Sequence, residues 1–439
     1  MTPRILREKL NAFLKDDLVV HSGIVFISLG LGSFFQFLYH LVAVRLLSAE
    51  DYGTFNALAS FMLIFSLAGS PLHMTFVRYF TEYIAKGRNK ALSLLFSLAT
   101  RRMIFFLVAL FLAIILAAPF MAHFLTIHTG HILLCAGVII VSLLTVPFLS
   151  LVQSFQEFNT ISAIWGFSSL MKLLAGAVLM LAGLRVAGGL IGYLAGPACA
   201  LFFAVMSASR LLSNKKEVMV KTEEDQTVSL TPLYAFAIPA FITMLSFALL
   251  TNIDIVIVKH FFSALMAGYY SIAQIGAKIA LLLPFSLALA LSPKSTQAYV
   301  NKKNSLKLLY KSLVLGTACG GLLSGAAFLF PKKILLFLSG NPHPISCSLL
   351  GIFVLAMSFY ALLWIAIHYA LAVHNFSFIA SLFMLSIAEF FSMYLYHDSL
   401  LQIVLILLGF SVVSFSLVTA IIVFQTRRAD AAPKPLQHP

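Results

Sequence analysis

The stretch LLSAEDYGTFNALASF, residues 46–61, returns later in the chain as FFSALMAGYYSIAQIG, residues 261–276. Each copy directly follows one long apolar run and directly precedes another. In this alignment Ser48 pairs with Ser263, Ala49 with Ala264 and Gly53 with Gly268; further along, Ile64 pairs with Ile279, Leu72 with Leu287, Thr81 with Thr296 and Asn89 with Asn304. Apolar sequences match by chance, so the weight lies in position: the first and second apolar runs map onto the seventh and eighth without a gap, as in an internal duplication. Each copy is expected to be the turn of the first hairpin of a repeat, with Gly53 or Gly268 allowing the chain to reverse.

Composition fixes the solvent. Hydrophobic residues make up 61% of the 439 residues and charged residues only 10%, and the mean hydropathy is +1.00. A soluble chain of this length needs far more polar surface, so the medium is a bilayer. Apolar runs of about 20 residues, enough to cross ~30 Å of hydrocarbon as helix, occur twelve times. They fall at about 20–46, 54–77, 103–125, 131–153, 160–183, 186–208, 233–258, 265–292, 306–330, 346–372, 375–396 and 400–424. None alternates with period two for long enough to suggest a barrel strand. The fold class is therefore all-α: a polytopic membrane protein of twelve transmembrane helices in two six-helix lobes. Because six is even, the repeats are parallel, related by an axis along the membrane normal.

The net charge of +14 is mostly a topology signal rather than a sign of nucleic-acid binding. With both termini cytoplasmic, 22 of the 29 Lys and Arg fall on that side, in the N-terminus, the tail and the loops after spans two, six and eight. Arg45, Arg185, Lys259, Lys332 and Lys333 fall on the opposite side, and the positive-inside rule fixes the orientation. Residues 1–17 carry Ile5, Leu6, Leu10, Phe13 and Leu14 on one helical stripe, which predicts an interfacial amphipathic helix rather than a cleaved signal peptide. An N-terminal lobe over 18–208, a cytoplasmic linker over 209–232, a C-terminal lobe over 233–425 and a cytoplasmic tail over 426–439 follow. Cys135, Cys199, Cys319 and Cys347 lie in or at the edge of spans without metal-like pairing, so neither a disulfide nor a metal is expected.

Residues 46–88, LLSAEDYGTFNALASFMLIFSLAGSPLHMTFVRYFTEYIAKGR, resemble the opening of the polysaccharide and oligosaccharide flippases (Wzx-like) of the multidrug/oligosaccharidyl-lipid/polysaccharide exporter superfamily. The similar elements are the acidic-Tyr-Gly turn at Glu50 to Gly53, the Gly69 to Pro71 break in span two, and the basic exit from Arg78 to Arg88. Twelve spans and a cytoplasmic linker extend the likeness over the chain. It implies a V-shaped transporter that moves a lipid-linked sugar of the undecaprenyl-diphosphate type across the bacterial inner membrane by alternating access, for surface polysaccharide synthesis. The implied protein is a monomer among membrane lipids, without a cofactor.

A charge at mid-bilayer costs roughly 2.5–3.5 kcal/mol on insertion scales, so each one needs a reason. Lys172 sits in span five on one face with Trp165 and Ser168; Lys278 sits in span eight on one face with Tyr270 and Gln274. These two stripes are expected to face a central cavity and draw in the phosphates of an anionic lipid-linked substrate; the alternative is a lysine paired with a carboxylate or snorkelling. On span one, Ser33, Gln36 and His40 form a polar stripe leading toward Arg45, a cavity wall or an interhelical hydrogen-bond seam. Asp254 in span seven and Glu389 in span eleven, the latter on a stripe with Ser386 and Ser392 that could line water, are candidates for coupling to H+ or Na+ on superfamily resemblance. The alternative for Asp254 is a fixed ion pair with Lys259. His73 and His368 are expected to be satisfied core histidines. The glycines at 188, 192 and 196, and at 316, 320, 321 and 325, predict close helix packing. Pro71, Pro147, Pro239 and Pro284 predict kinks.

No G-x-x-x-x-G-K-[ST] phosphate loop, nucleophile elbow or large extramembrane domain is present in the sequence, so no enzymatic activity is expected. A multidrug or cation exporter of the same superfamily, a membrane-embedded polymerase or glycosyltransferase using the same lipid carrier, and an ion-pathway protein are the competing readings. The central lysines disfavour a cationic substrate, and the short outer loops disfavour an enzyme.

Overall fold

A computed structural model describes residues 32, 34–67, 69–214, 231–300, 306–373 and 375–431. The amphipathic stripe of residues 1–17, Ser33, most of the linker and the end of the tail lie outside the described residues. Among those described, the structure is helical: α1 (Phe34–Leu46), α2 (Ala49–Leu67), α3 (Gly69–Ala85), α4 (Asn89–Phe124), α5 (Thr129–Ser154), α6 (Phe158–Leu179), α7 (Arg185–Asn214), α8 (Thr231–Phe261), α9 (Ala264–Val300), α10 (Leu306–Leu329), α11 (Pro331–Ser339), α12 (Pro344–Ala372), α13 (Ile379–Leu395) and α14 (Leu400–Ala431). Each of the twelve apolar runs corresponds to a helix. Span two comprises α2 and α3, on either side of residue 68, which lies outside the described residues; the one addition is the short α11 between spans nine and ten. Helices α5 and α8 run through Pro147 and Pro239 without ending, and α9 continues past position 284.

By packing, the chain forms two compact units. The first comprises residues up to Leu46, then Gly69–His123 and Ile127–Ala237; the second comprises Leu47–Ala68, Phe124–Thr126 and Ile238 onward. A division at the linker alone would have put α2 in the first. It belongs with the second because it packs along α9, its counterpart in the repeat.

That packing corrects the role expected of two glycines. Gly53 and Gly268 do not lie in the turns but inside α2 and α9, and neither has a positive φ. They are small because the two helices touch there: a Cβ on Gly53 would stand 2.6 Å from the Gly268 backbone nitrogen, and one on Gly268 would run into the Ala49 carbonyl. The reversals are instead carried by the repeated serines. Asp51 N donates to Ser48 Oγ at 3.2 Å, and Met266 N donates to Ser263 Oγ at 3.4 Å, so each hydroxyl caps the start of its helix.

In the first unit, spans five and six are joined by a sharp kink over Met180–Leu184, with positive φ at Gly183 (φ 89) and at Arg185 (φ 43). The glycine face of α7 then lies flat on α6. A Cβ on Gly192 would sit 2.6 Å from Gly176 Cα, and one on Gly196 would sit 3.1 Å from the Ser168 carbonyl. In α10, Gly316 and Gly320 meet Leu362 and Ser358 of α12, whereas Gly321 and Gly325 meet nothing within 4 Å. The expected packing role thus holds for two of those four positions.

Overpacking a tight helix contact costs roughly 1–3 kcal/mol. Gly53→Ala and Gly268→Ala are therefore expected to lower the thermal unfolding temperature of the detergent-solubilised protein clearly, while Gly321→Ala leaves it unchanged or slightly raised, since alanine is the better helix former.

Candidate functional site

The polar residues of the spans gather into separate clusters inside each unit. In the first, Lys172 of α6 is 8% exposed. Its ammonium donates to Gln36 Oε1 at 2.6 Å, lies 3.2 Å from the ring centroid of Tyr193 and 4.9 Å from that of Tyr39. The rings stand edge to face with centroids 5.2 Å apart. Gln36 Nε2 approaches the Tyr193 hydroxyl at 3.3 Å, and that hydroxyl meets His40 Nε2 at 2.9 Å. Tyr39 is pinned by its hydroxyl donating to the Gly189 carbonyl, in space left by Gly176 and Gly192.

This is a cation held by π-faces and one amide oxygen. Aromatic faces attract a cation by about 0.5–2 kcal/mol each, enough to hold the ammonium in place but not to cancel its charge. No carboxylate lies within ion-pair distance of Lys172 among the described residues, and the cluster reaches the surface of the unit at Gln36, which is exposed. The arrangement can therefore accept an anion. Arg45 is exposed in the last turn of α1.

In the second unit, the α9 stripe Tyr270, Gln274 and Lys278 falls into one buried polar network with α2 and α8. Asp254 accepts from the Tyr270 hydroxyl at 2.8 Å and from Gln274 Nε2 at 2.9 and 2.8 Å on its two oxygens. Gln274 Oε1 in turn accepts from Asn56 Nδ2 at 2.7 Å. Lys278 donates to Asn252 Oδ1 at 2.8 Å and approaches Ser60 Oγ at 3.5 Å, and its charge interacts with that of Asp254. Asp254, Tyr270 and Gln274 are fully buried. The ion pair of Asp254 with Lys259 is not formed among the described residues: Asp254 takes Tyr270 and Gln274 of α9 as its partners.

Glu389 of α13 is also fully buried, so its stripe with Ser386 does not line water here. Tyr360 of α12 donates to Glu389 Oε1 at 2.7 Å, while Oε2 has no hydrogen-bond partner among the described residues. The two carboxyls are held alike, Asp254 by the Tyr270 hydroxyl and Glu389 by the Tyr360 hydroxyl. Of the two span histidines, His73 is satisfied on both ring nitrogens, by Gln153 at 2.7 Å and Ser150 at 2.8 Å. His368 departs from expectation: it packs against Trp364 and its buried Nε2 has no hydrogen-bond partner among the described residues.

Sequence spacing placed Lys172, Gln36 and His40, and separately Tyr270, Gln274, Lys278 and Asp254, without joining them. It missed Tyr39, Tyr193, Asn56, Asn252 and Tyr360. A signal existed for Tyr193, the aromatic residue set directly after Gly192 in the small-residue run of α7.

No protein-family model matches the chain. It is 22% identical over 340 residues to an uncharacterised membrane protein of Methanocaldococcus jannaschii, covering 74% of this chain and 79% of that one. Its fold is similar to that of the lipid II flippase MurJ in an inward closed conformation (TM-score 0.65, 15% identity, 94% of this chain and 89% of that chain). It is similar as well to an inward-facing multidrug resistance MATE family transporter of the MOP superfamily (0.63, 12%, 92% and 99%), and to the MATE transporter VcmN of Vibrio cholerae (0.65, 12%, 95% and 98%). The chain is thus a multi-pass, all-α membrane protein with the twelve-helix fold of these transporters.

Gln274 is the keystone of the second network, since it holds both Asp254 oxygens and accepts from Asn56. Losing hydrogen bonds to a buried charged group costs roughly 1.5–3 kcal/mol, so Gln274→Leu is expected to depress thermal stability in detergent by that order. An unchanged unfolding temperature would show that Asp254 has other support.

Proposed function

We propose that the chain is an alternating-access transporter of the MOP superfamily, of the polysaccharide-flippase type. It carries an anionic lipid-linked oligosaccharide of the undecaprenyl-diphosphate class across a bacterial inner membrane, with both termini cytoplasmic. The observation that carries this reading is Lys172: a buried ammonium caged by Tyr39 and Tyr193, with no carboxylate at ion-pair distance among the described residues. A cation transporter would gain nothing from such a charge, whereas a diphosphate would replace the weak amide contact of Gln36 with a charge-assisted pair. Gln36 and His40 line the entry to the cage, and Arg45 lies further along the same helix.

Lys278 serves as the second phosphate-binding group, with Tyr270 and Gln274 setting its surroundings. It is half-buried, and its hydrogen bonds are to neutral oxygens of Asn252 and Ser60, so an incoming phosphate competes for it with the Asp254 carboxylate of the same network. Asp254 and Glu389 are assigned to ion coupling, with H+ or Na+ as the driving ion. A buried carboxyl with one oxygen lacking a hydrogen-bond partner among the described residues, as in Glu389, can take up a small cation without first surrendering a contact.

The same two carboxyls support a second reading, export of organic cations, in which they would meet the substrate itself. Reconstituted proteoliposomes separate the two. For a flippase, Lys172→Gln and Lys278→Gln each slow translocation of a fluorescent undecaprenyl-diphosphate-linked oligosaccharide about tenfold or more, given roughly 1.5–3 kcal/mol per charge-assisted contact. Unaltered rates in both variants, or gradient-driven efflux of an organic cation abolished by Glu389→Gln with no lipid translocation, would favour the exporter. Within the flippase reading, Glu389→Gln is expected to remove the dependence of transport on the imposed ion gradient, and full transport at every gradient would exclude a coupling role for Glu389.

A further inference from the structure

The short helix α11 belongs to neither buried cluster, and nothing in the transport reading requires it. Its sequence, PKKILLFLS, splits cleanly by side. Leu335 and Leu338 are buried and lie against Gly276 of α9, beside Leu350 of α12. Lys332, Lys333, Leu336 and Phe337 are exposed, Leu336 by 52% and Phe337 by 67%. Positions i, i+1, i+4 and i+5 share one helical face, so this face presents two ammonium groups in its first turn and two large apolar side chains in its second. Both ends of the helix are fixed. Pro331 opens it at a position where no N–H is needed, and Gly340 (φ 74) closes it, its N–H donating to the Leu336 carbonyl at 2.9 Å.

A face mixing Lys with Leu and Phe is poorly suited to water and equally poorly suited to the hydrocarbon interior. It matches the boundary between them, where lysine stems lie along apolar surface and the ammonium reaches the phosphates. The surroundings match as well. Lys333 stands 5.3 Å from the ring centroid of Phe330, and Phe328 and Leu329 at the end of α10, with Phe330 just before α11, are each at least half exposed. Among the described residues neither lysine forms an ion pair. In the topology read from the sequence this is the non-cytoplasmic face, where positive charge is scarce, so two adjacent lysines are there against the prevailing bias.

We infer that α11 is an interfacial helix whose Lys332–Lys333 pair binds the anionic headgroups of phospholipids while Leu336 and Phe337 enter the acyl region beneath them. The occupant is the lipid surface itself, recognised by phosphate charge above and hydrocarbon below. The inference is independent of the transported substrate.

The test uses the full chain in nanodiscs of mixed phosphatidylcholine and phosphatidylglycerol. Phe337→Trp supplies a reporter, read as the difference from the parent protein's fluorescence, and bromine is placed on the acyl chains of one lipid class at a time. Brominated phosphatidylglycerol is expected to quench the reporter about threefold more than brominated phosphatidylcholine at equal content, since each lysine near the surface enriches anionic lipid. The preference is expected to vanish when Lys332→Gln and Lys333→Gln are added, and to weaken at high salt. Equal quenching by both lipids, a preference that survives loss of both lysines, or a reporter quenched by neither lipid would each overturn the inference.

Discussion

Inside a helix that crosses hydrocarbon, a polar side chain has no water to fall back on, so it must be paired within the protein or not be there. The clusters of this molecule are organised by that constraint. Asp254 is answered by Tyr270 and Gln274, Gln274 by Asn56, Lys278 by Asn252 and Ser60, and Glu389 by Tyr360. Lys172 differs in being held mainly by aromatic faces. Its environment of two tyrosine rings and one amide tolerates the charge without neutralising it, and such an incomplete answer is the physical basis for assigning it to a ligand.

The glycines make these clusters possible. In the first unit, Gly176 and Gly192 leave the volume that Tyr39 fills, and Gly196 lets α7 lie against the Lys172 stem, so small residues that look like mere packing also shape the cage. In the second unit, Gly53 and Gly268 bring α2 onto α9. That approach lets Asn56 and Ser60 of α2 reach Gln274 and Lys278 of α9. The two similar stretches are thus used alike: α2 and α9, capped by Ser48 and Ser263, pack on each other and bury polar chemistry between them.

Much of the fold was legible in the sequence because it depends on length and periodicity. Each of the twelve apolar runs corresponds to helix among the described residues. The repeat register located equivalent helix starts, yet it misplaced the work of Gly53 and Gly268, because a glycine needed for close approach and one needed for a turn look the same in sequence. The helix α11 was missed, being nine residues long and far below the length of a span. Stripes at spacing three and four found Lys172, Tyr270, Gln274 and Lys278, since those share a face of one helix. Partners on other helices, such as Tyr193 for Lys172 or Tyr360 for Glu389, were invisible because spacing says nothing about which faces meet. The same blindness made Lys259 look like a partner for Asp254.

The assignment of Lys172 as an anion-accepting group is tested most directly by equilibrium binding of a short polyprenyl diphosphate to the purified protein in detergent, followed by calorimetry. Saturable binding that weakens at least tenfold in Lys172→Gln, with a correctly folded variant by thermal unfolding, is the expected result; each tenfold corresponds to about 1.4 kcal/mol. Equal affinity in the two proteins would contradict it and leave the lysine a structural cation held by its tyrosines.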